Sequence, residues 1–317
     1  MLFRSVGTNA AFALQFNKPM DEGSVDGAVY LGISSSYCNG PFISAAISWS
    51  TDQTTIFFVP TTALTAGTTY YLSSYYLTDL VGNPQQNFCI GFYTGTGSDT
   101  AGPVVQQVSP PSGFTSVPIN APVQILFNEA ISPASLEGVT LNQGSSIVPT
   151  TVSLYDGNKG IQLLPLVPLA NGTVYTINVT GVVDITGNAP SSFPSQSFTT
   201  GTGIDLVAPT VVSTDPANGQ TSVPDNTTIK AVFSEAMDPA SFDPNNSFTL
   251  HDASNNVVPA TITFSADYKT VTLHSTANLT GGGATYNMYV GWPYVSSHLY
   301  DLGGNSLYGT YFTFTTQ

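Results

Sequence analysis

The chain has 317 residues, 41% of them hydrophobic and only 8% charged, with a net charge of −14 and five lysines and arginines in total. That length holds two or three domains with real cores, and the apolar share excludes a disordered chain. The scarcity of cations excludes nucleic-acid binding by phosphate neutralisation and disfavours insertion into or binding to anionic membranes.

No run of 18 apolar residues is present to span a bilayer. Against roughly 25% charged residues in ordinary domains, the polar surface here must be Ser, Thr, Asn, Gln and Tyr. Such surfaces suit secreted β-proteins and proteins packed into assemblies. The acidity serves solubility, or fits a cationic partner or divalent ions. Met1-Leu2-Phe3-Arg4 is too short for a signal peptide, so export would use a signal outside this stretch.

The chain is written three times. Each repeat opens on Ser5-Val6-Gly7-Thr8-Asn9, Ser116-Val117-Pro118-Ile119-Asn120 or Ser222-Val223-Pro224-Asp225-Asn226. Strands are predicted next, over Ala11 to Phe16, Val123 to Phe127 and Ile229 to Phe233, and in the last of these Ile229, Ala231 and Phe233 alternate with Thr228, Lys230 and Val232. Short polar segments follow, with Lys18, Glu129 and Glu235 at matching places. Pro-Ala-Ser in the last two copies predicts a single helical or 3₁₀ turn. Two further strands lie in the middle of each repeat: Ile43 to Trp49 and Thr55 to Val59, Val148 to Leu154 and Gly160 to Leu164, Val258 to Phe264 and Thr270 to Leu273.

Then comes Leu64-x-x-Gly67-x-x-Tyr70, repeated as Leu169, Gly172 and Tyr175, and as Leu279, Gly283 and Tyr286 with one Gly inserted. This spacing predicts a tyrosine corner, in which the ring packs the core and the hydroxyl bonds back to the connecting loop. Asp79-Leu80-Val81-Gly82-Asn83, Asp184 to Asn188 and Asp301 to Asn305 follow. Asp can bond N–H groups two residues on, while Gly and Asn accept left-handed backbone, so the motif reads as a tight turn before a last strand. Those strands end Phe92-Tyr93-Thr94, Phe198-Thr199-Thr200 and Phe314-Thr315-Thr316.

Linkers 95–103 and 201–209 share Gly-Thr-Gly, an Asp and a Pro at the same offsets, dividing the chain into domains 1–97, 98–203 and 204–317. Their shortness predicts a semi-rigid rod. The second and third repeats carry a leading strand, Val104 to Val108 and Thr210 to Thr214, with no counterpart in the first. The first sheet is therefore expected to have an unpaired edge. A fragment of a longer chain is the favoured explanation, with a misplaced Met1 and a strand supplied by a neighbouring subunit as alternatives.

The pattern Pro209-x-Val211, Pro216-x-x-Gly219, Ser222 to Asn226, Val232 to Ser241, Tyr286, Asp301 to Asn305 and Phe314 to Thr316 resembles the bacterial Ig-like domains found in tandem in large surface and S-layer-associated proteins. The resemblance covers essentially the whole chain and implies an all-β fold of three Ig-like Greek-key β-sandwich domains. It also implies spacing, display or adhesion outside the cell, and no catalytic residues.

Chemistry is sparse. His251, His274 and His298 have no metal-ligand spacing, and the first two repeats offer no base for a serine nucleophile. Glu129 and Glu235 share one repeat position, which reads as structural rather than as a glycosidase pair. No cofactor is expected save calcium, for which a linker Asp (Asp99, Asp205) near a turn Asp such as Asp184 could form an oxygen cage. Cys38 and Cys89 form a disulfide within the first domain or remain buried thiols. Tyr75, Tyr76, Trp292 and Tyr294 belong to aromatic clusters that serve core packing, a subunit interface or sugar stacking. The reading is a non-enzymatic extracellular stalk, or a subunit of a surface layer or filament, associating with itself or with surface proteins and glycans. An adhesin or carbohydrate-binding segment, or accessory modules of a larger secreted enzyme, are the alternatives.

Overall fold

Alternating apolar and polar residues, broken by Asp, Asn, Gly and Pro, give short strands and tight turns along the chain. The computed structural model describes residues 6–25, 28–33, 38, 40–193, 195–291 and 299–317. The first module contains β1 (Phe12–Gln15), β2 (Val29–Gly32), β3 (Ala45–Trp49), β4 (Thr55–Pro60), β5 (Thr69–Ser74) and β6 (Phe88–Tyr93). The second contains β7 (Val105–Ser109), β8 (Val123–Phe127), β9 (Val139–Gln143), β10 (Ser146–Ile147), β11 (Thr150–Tyr155), β12 (Gly160–Pro165), β13 (Val174–Val179) and β14 (Gln196–Thr199). The third contains β15 (Val211–Asp215), β16 (Gln220–Val223), β17 (Ile229–Phe233), β18 (Phe248–His251), β19 (Ala260–Phe264), β20 (Thr270–Ser275), β21 (Thr285–Val290) and β22 (Thr310–Thr316).

Each module closes two sheets over its own apolar core. The second pairs β7-β8-β12-β11 with β10-β9-β13-β14, and the third pairs β15-β17-β20-β19 with β16-β22-β21-β18. This is the all-β tandem sandwich expected from the repeats. The strands after the first polar segment (β2, β9 and β18) escape pattern reading, because four or five residues between turns show too little alternation.

The first module departs from the other two. Its sheets are β1-β4-β3 and β2-β5-β6, and among the described residues nothing occupies the place that β7 and β15 take beside β8 and β17. The consequence reaches the core. Val123, Ile125 and Phe127 of β8 are fully buried, whereas their counterparts Phe12, Leu14 and Phe16 stay half-exposed.

The recurring motifs make a shared latch. The hydroxyls of Tyr70, Tyr175 and Tyr286 accept the N–H groups of Thr65, Ala170 and Thr280 at 2.8, 2.8 and 2.7 Å. The final Thr of each module completes it: Thr94, Thr200 and Thr316 donate to the carbonyls of Thr65, Ala170 and Thr280 at 2.6, 2.6 and 2.7 Å. The tyrosine corner and the Phe-x-Thr ending thus hold one loop from two sides.

Candidate metal centres at the module joints

Each Asp-x-x-Gly-Asn motif is a turn wound around a buried carboxylate. Asp184 Oδ1 accepts the N–H groups of Thr186 and Asn188 at 2.7 and 2.9 Å, and Oδ2 accepts Asn188 Nδ2 at 2.9 Å. Asp301 does the same with Gly303 and Asn305 at 2.8 Å each, and with Asn305 Nδ2 at 2.9 Å. Both carboxylates are about 1% exposed. Gly187 and Gly304 supply the required left-handed backbone, at φ 91° and 85°.

The linker aspartates are tied from both flanks. Asn9 of the first module donates to the Asp99 carbonyl at 2.9 Å and accepts the Asp99 N–H at 3.0 Å, while Asn188 of the second module donates to the same carbonyl at 3.1 Å. At the second joint Asn120 plays the part of Asn9, with bonds of 2.8 Å to both Asp205 backbone groups, and Asn305 donates to the Asp205 carbonyl at 3.2 Å. The backbone of each linker is therefore a shared acceptor for the modules on either side.

This pinning brings carboxylates together. Oxygens of Asp99, Glu129 and Asp184 lie within 4.8 Å of one another, and so do those of Asp205, Glu235 and Asp301. The expected set of Asp99, Asp205 and Asp184 is thus divided between the two joints: Asp99 meets Asp184, and Asp205 meets Asp301. Glu129 and Glu235, read as structural from their register, are the members that sequence reasoning missed. Their register was the signal, since it places both beside the turn Asp.

Like charges in one place cost free energy. Burial first, then Asp99 and Asp184, raise the Glu129 carboxyl. Burial first, then Asp205, push Glu235 up to about 7. Burial also raises Asp301. The first module shows what relieves the strain: Lys18 stands at the Glu position and its ammonium is ion-paired with Asp79, holding that carboxyl well below its usual range. Where the first module has a built-in cation, the other two have a third carboxylate. All donors are oxygen, which suits a hard divalent ion over a thiophilic one.

The second joint has an added contact. The 3₁₀ turn Pro239–Ser241 lies against β7 and β8, burying Pro239 and Ala240. Its cap Asp238 is 1% exposed and accepts the Ala240 N–H at 2.8 Å, and burial pushes its carboxyl up to about 7. Phe114 packs edge-on to Tyr268 across the same joint at 5.6 Å. The equivalent turn Pro133–Ser135 has no buried residue.

Cys38 and Cys89 are disulfide-bonded, their Cα atoms 6.2 Å apart. Tyr75 and Tyr76 join a chain of rings with Tyr30 and Phe42, centroids 6.5, 6.5 and 4.4 Å apart, ending at Tyr76, which is 77% exposed. Trp292, Tyr294 and His298 lie outside the described residues.

A family model described as bacterial Ig-like domain matches residues 4–94, 99–200 and 205–316. No curated protein matches the chain. Among solved structures, CopC from Methylosinus trichosporium OB3b is 16% identical over 34% of this chain and 93% of its own, with a TM-score of 0.25. The S-layer protein rSbsC(31-844) is 10% identical over 99% of this chain and 53% of its own, at 0.25. An L,D-transpeptidase from Mycobacterium tuberculosis H37Rv is 15% identical over 57% of this chain and 63% of its own, at 0.23. With the family model matched three times in succession, the chain belongs to the bacterial Ig-like domain family.

Proposed function

We propose that the chain is a non-catalytic structural element outside the cell, a spacer or a subunit of a surface layer or filament, whose joints hold neighbouring modules in one geometry. The observation that carries this is the linker aspartate bonded by the module before it and the module after it, in the same way at both joints. A flexible string would leave its linkers unbonded. The disulfide fits an oxidising compartment. Calcium is the ion whose oxygen preference matches Asp99, Glu129 and Asp184, and Asp205, Glu235 and Asp301. Bound there, it would neutralise the crowded carboxylates and stiffen both joints.

The test is small-angle X-ray scattering with electron microscopy of the full chain, in calcium and in EDTA. One fixed envelope in calcium that broadens in EDTA is the expected result. Regular sheets or filaments would make self-assembly the role, and monodisperse particles would make it spacing. Independent tumbling of the modules in both buffers would sink the proposal.

A further inference from the structure

The outward face of the β7-β8-β12-β11 sheet is unusually amide-rich. Pairing register places Ser109, Gln124, Gln162 and Ser153 in one row across its four strands, and Gln107, Leu126, Gly160 and Tyr155 in the next. Together with the third module this face encloses a cleft of about 1100 Å³. The opposite wall includes Ile262 and Phe264, half-buried at the margin of the third core.

The carboxamides are not occupied within the protein. Among the described residues, Gln107, Gln124 and Gln162 have no side-chain hydrogen bond, although Gln124 is only 9% exposed. These carboxamides line the cleft, so the row holds donors and acceptors that water or a ligand must satisfy. The charged residues lining the cleft are Lys159, Asp156 and Asp243, which gives an anion no surplus of cations to bind. A row of neutral donor–acceptor pairs facing a wall that sets Ile262 and Phe264 among polar groups such as Asn245 and Asn246 matches a molecule with hydroxyls along its edge and C–H groups on its face. A pyranose ring has that form. The volume is large even for a small-molecule site, leaving room for several linked rings.

We propose that the cleft between the second and third modules binds a neutral oligosaccharide, its hydroxyls bonded by Gln107, Gln124 and Gln162 and its ring faces against Ile262 and Phe264. The inference is independent of whether the joints carry calcium or the chain assembles.

The test is titration calorimetry of the full chain with cellohexaose, xylohexaose, maltohexaose and chitohexaose, and with hexagalacturonate as the anionic control. At least one neutral hexasaccharide is expected to bind with Kd of about 1 mM or tighter. Gln124→Ala and Gln162→Ala should each weaken that binding about tenfold, the worth of one hydrogen bond. Gln107→Ala, on the outer strand, should weaken it without touching the core, and Tyr76→Ala should leave it unchanged. The proposal is overturned if no neutral probe binds, if hexagalacturonate binds best, or if the three glutamine variants bind as well as the parent while remaining folded. Concentration-dependent dimerisation abolished by the same variants would also overturn it, since the face would then serve a second copy.

Discussion

Thr200→Val isolates the latch that ends every module. The substitution keeps the shape of the side chain and removes one hydroxyl, which donates to the Ala170 carbonyl at 2.6 Å and accepts the Thr173 N–H at 2.9 Å. Thr200 itself is 3% exposed, so Val meets no solvent penalty. Two backbone groups lose a partner, at roughly 1–3 kcal/mol each if they stay dry. Ala170, Asn171 and Gly172 are exposed and Thr173 half-buried, so water recovers part of this, and about 2 kcal/mol is the expected cost. For a domain of this size that corresponds to a fall in Tm of roughly 8–16 °C. Hydrogen exchange with mass spectrometry on the full chain reads it directly. Peptides covering β13 and β14 should lose protection, while those around Thr94 and Thr316 should not change. Thr200→Ser, which keeps the hydroxyl, should cost far less. The reasoning is refuted if Val costs under about 0.5 kcal/mol, the noise of a surface change, or if Ser costs as much as Val.

Three further outcomes follow from the same geometry. Lys18→Met removes the ammonium that depresses Asp79, so an NMR titration should find that carboxyl moved up towards its ordinary range; the stability that the depressed group supplies is present at neutral pH and lost as pH falls. Glu235 is raised from 4.5 to about 7, so its contribution to the second joint is full below about pH 4.5 and lost as pH climbs through about 7. Dyes on the second and third modules should therefore report a tighter joint at pH 5 than at pH 8 in EDTA, with calcium closing the gap at pH 8 and Glu235→Gln shrinking the profile to the part that Asp238, raised to about 7 at the same joint, supplies. The outer N–H groups of β1 should exchange faster than those of β8 or β17, because β7 and β15 shield the latter two strands.

Much of this was legible because the chain repeats itself. Period-2 alternation located β8, β12 and β17, and the Leu-x-x-Gly-x-x-Tyr spacing located the three tyrosine corners down to the loop they hold. The three-stranded β1-β4-β3 sheet among the described residues of the first module matches the absence, in the sequence, of a counterpart to Val104 to Val108 and Thr210 to Thr214. What pattern could not supply was proximity across the joints. Glu129 sits thirty residues from Asp99 and far from Asp184 in sequence, and only the folding of the linker back onto the turn unites them. The cleft was hidden for the same reason. Gln107, Gln124 and Gln162 carry no signal of their own in the sequence, and only pairing register sets them side by side under the third module.

β7 belongs to two modules at once. It is the outer strand of the second sandwich and the roof over Pro239–Ser241 of the third, whereas the matching turn Pro133–Ser135 has no buried residue. Under a pulling load along the chain, the second joint must be sheared together with a sheet strand, while among the described residues the first is held by linker and turn contacts such as the Ala11 N–H on the Ile185 carbonyl. Nearest-neighbour coupling of this kind makes the stability of one unit depend on the next. The expected order of failure under force is the first joint before the second, so that the chain acts as a mechanical fuse of two ratings.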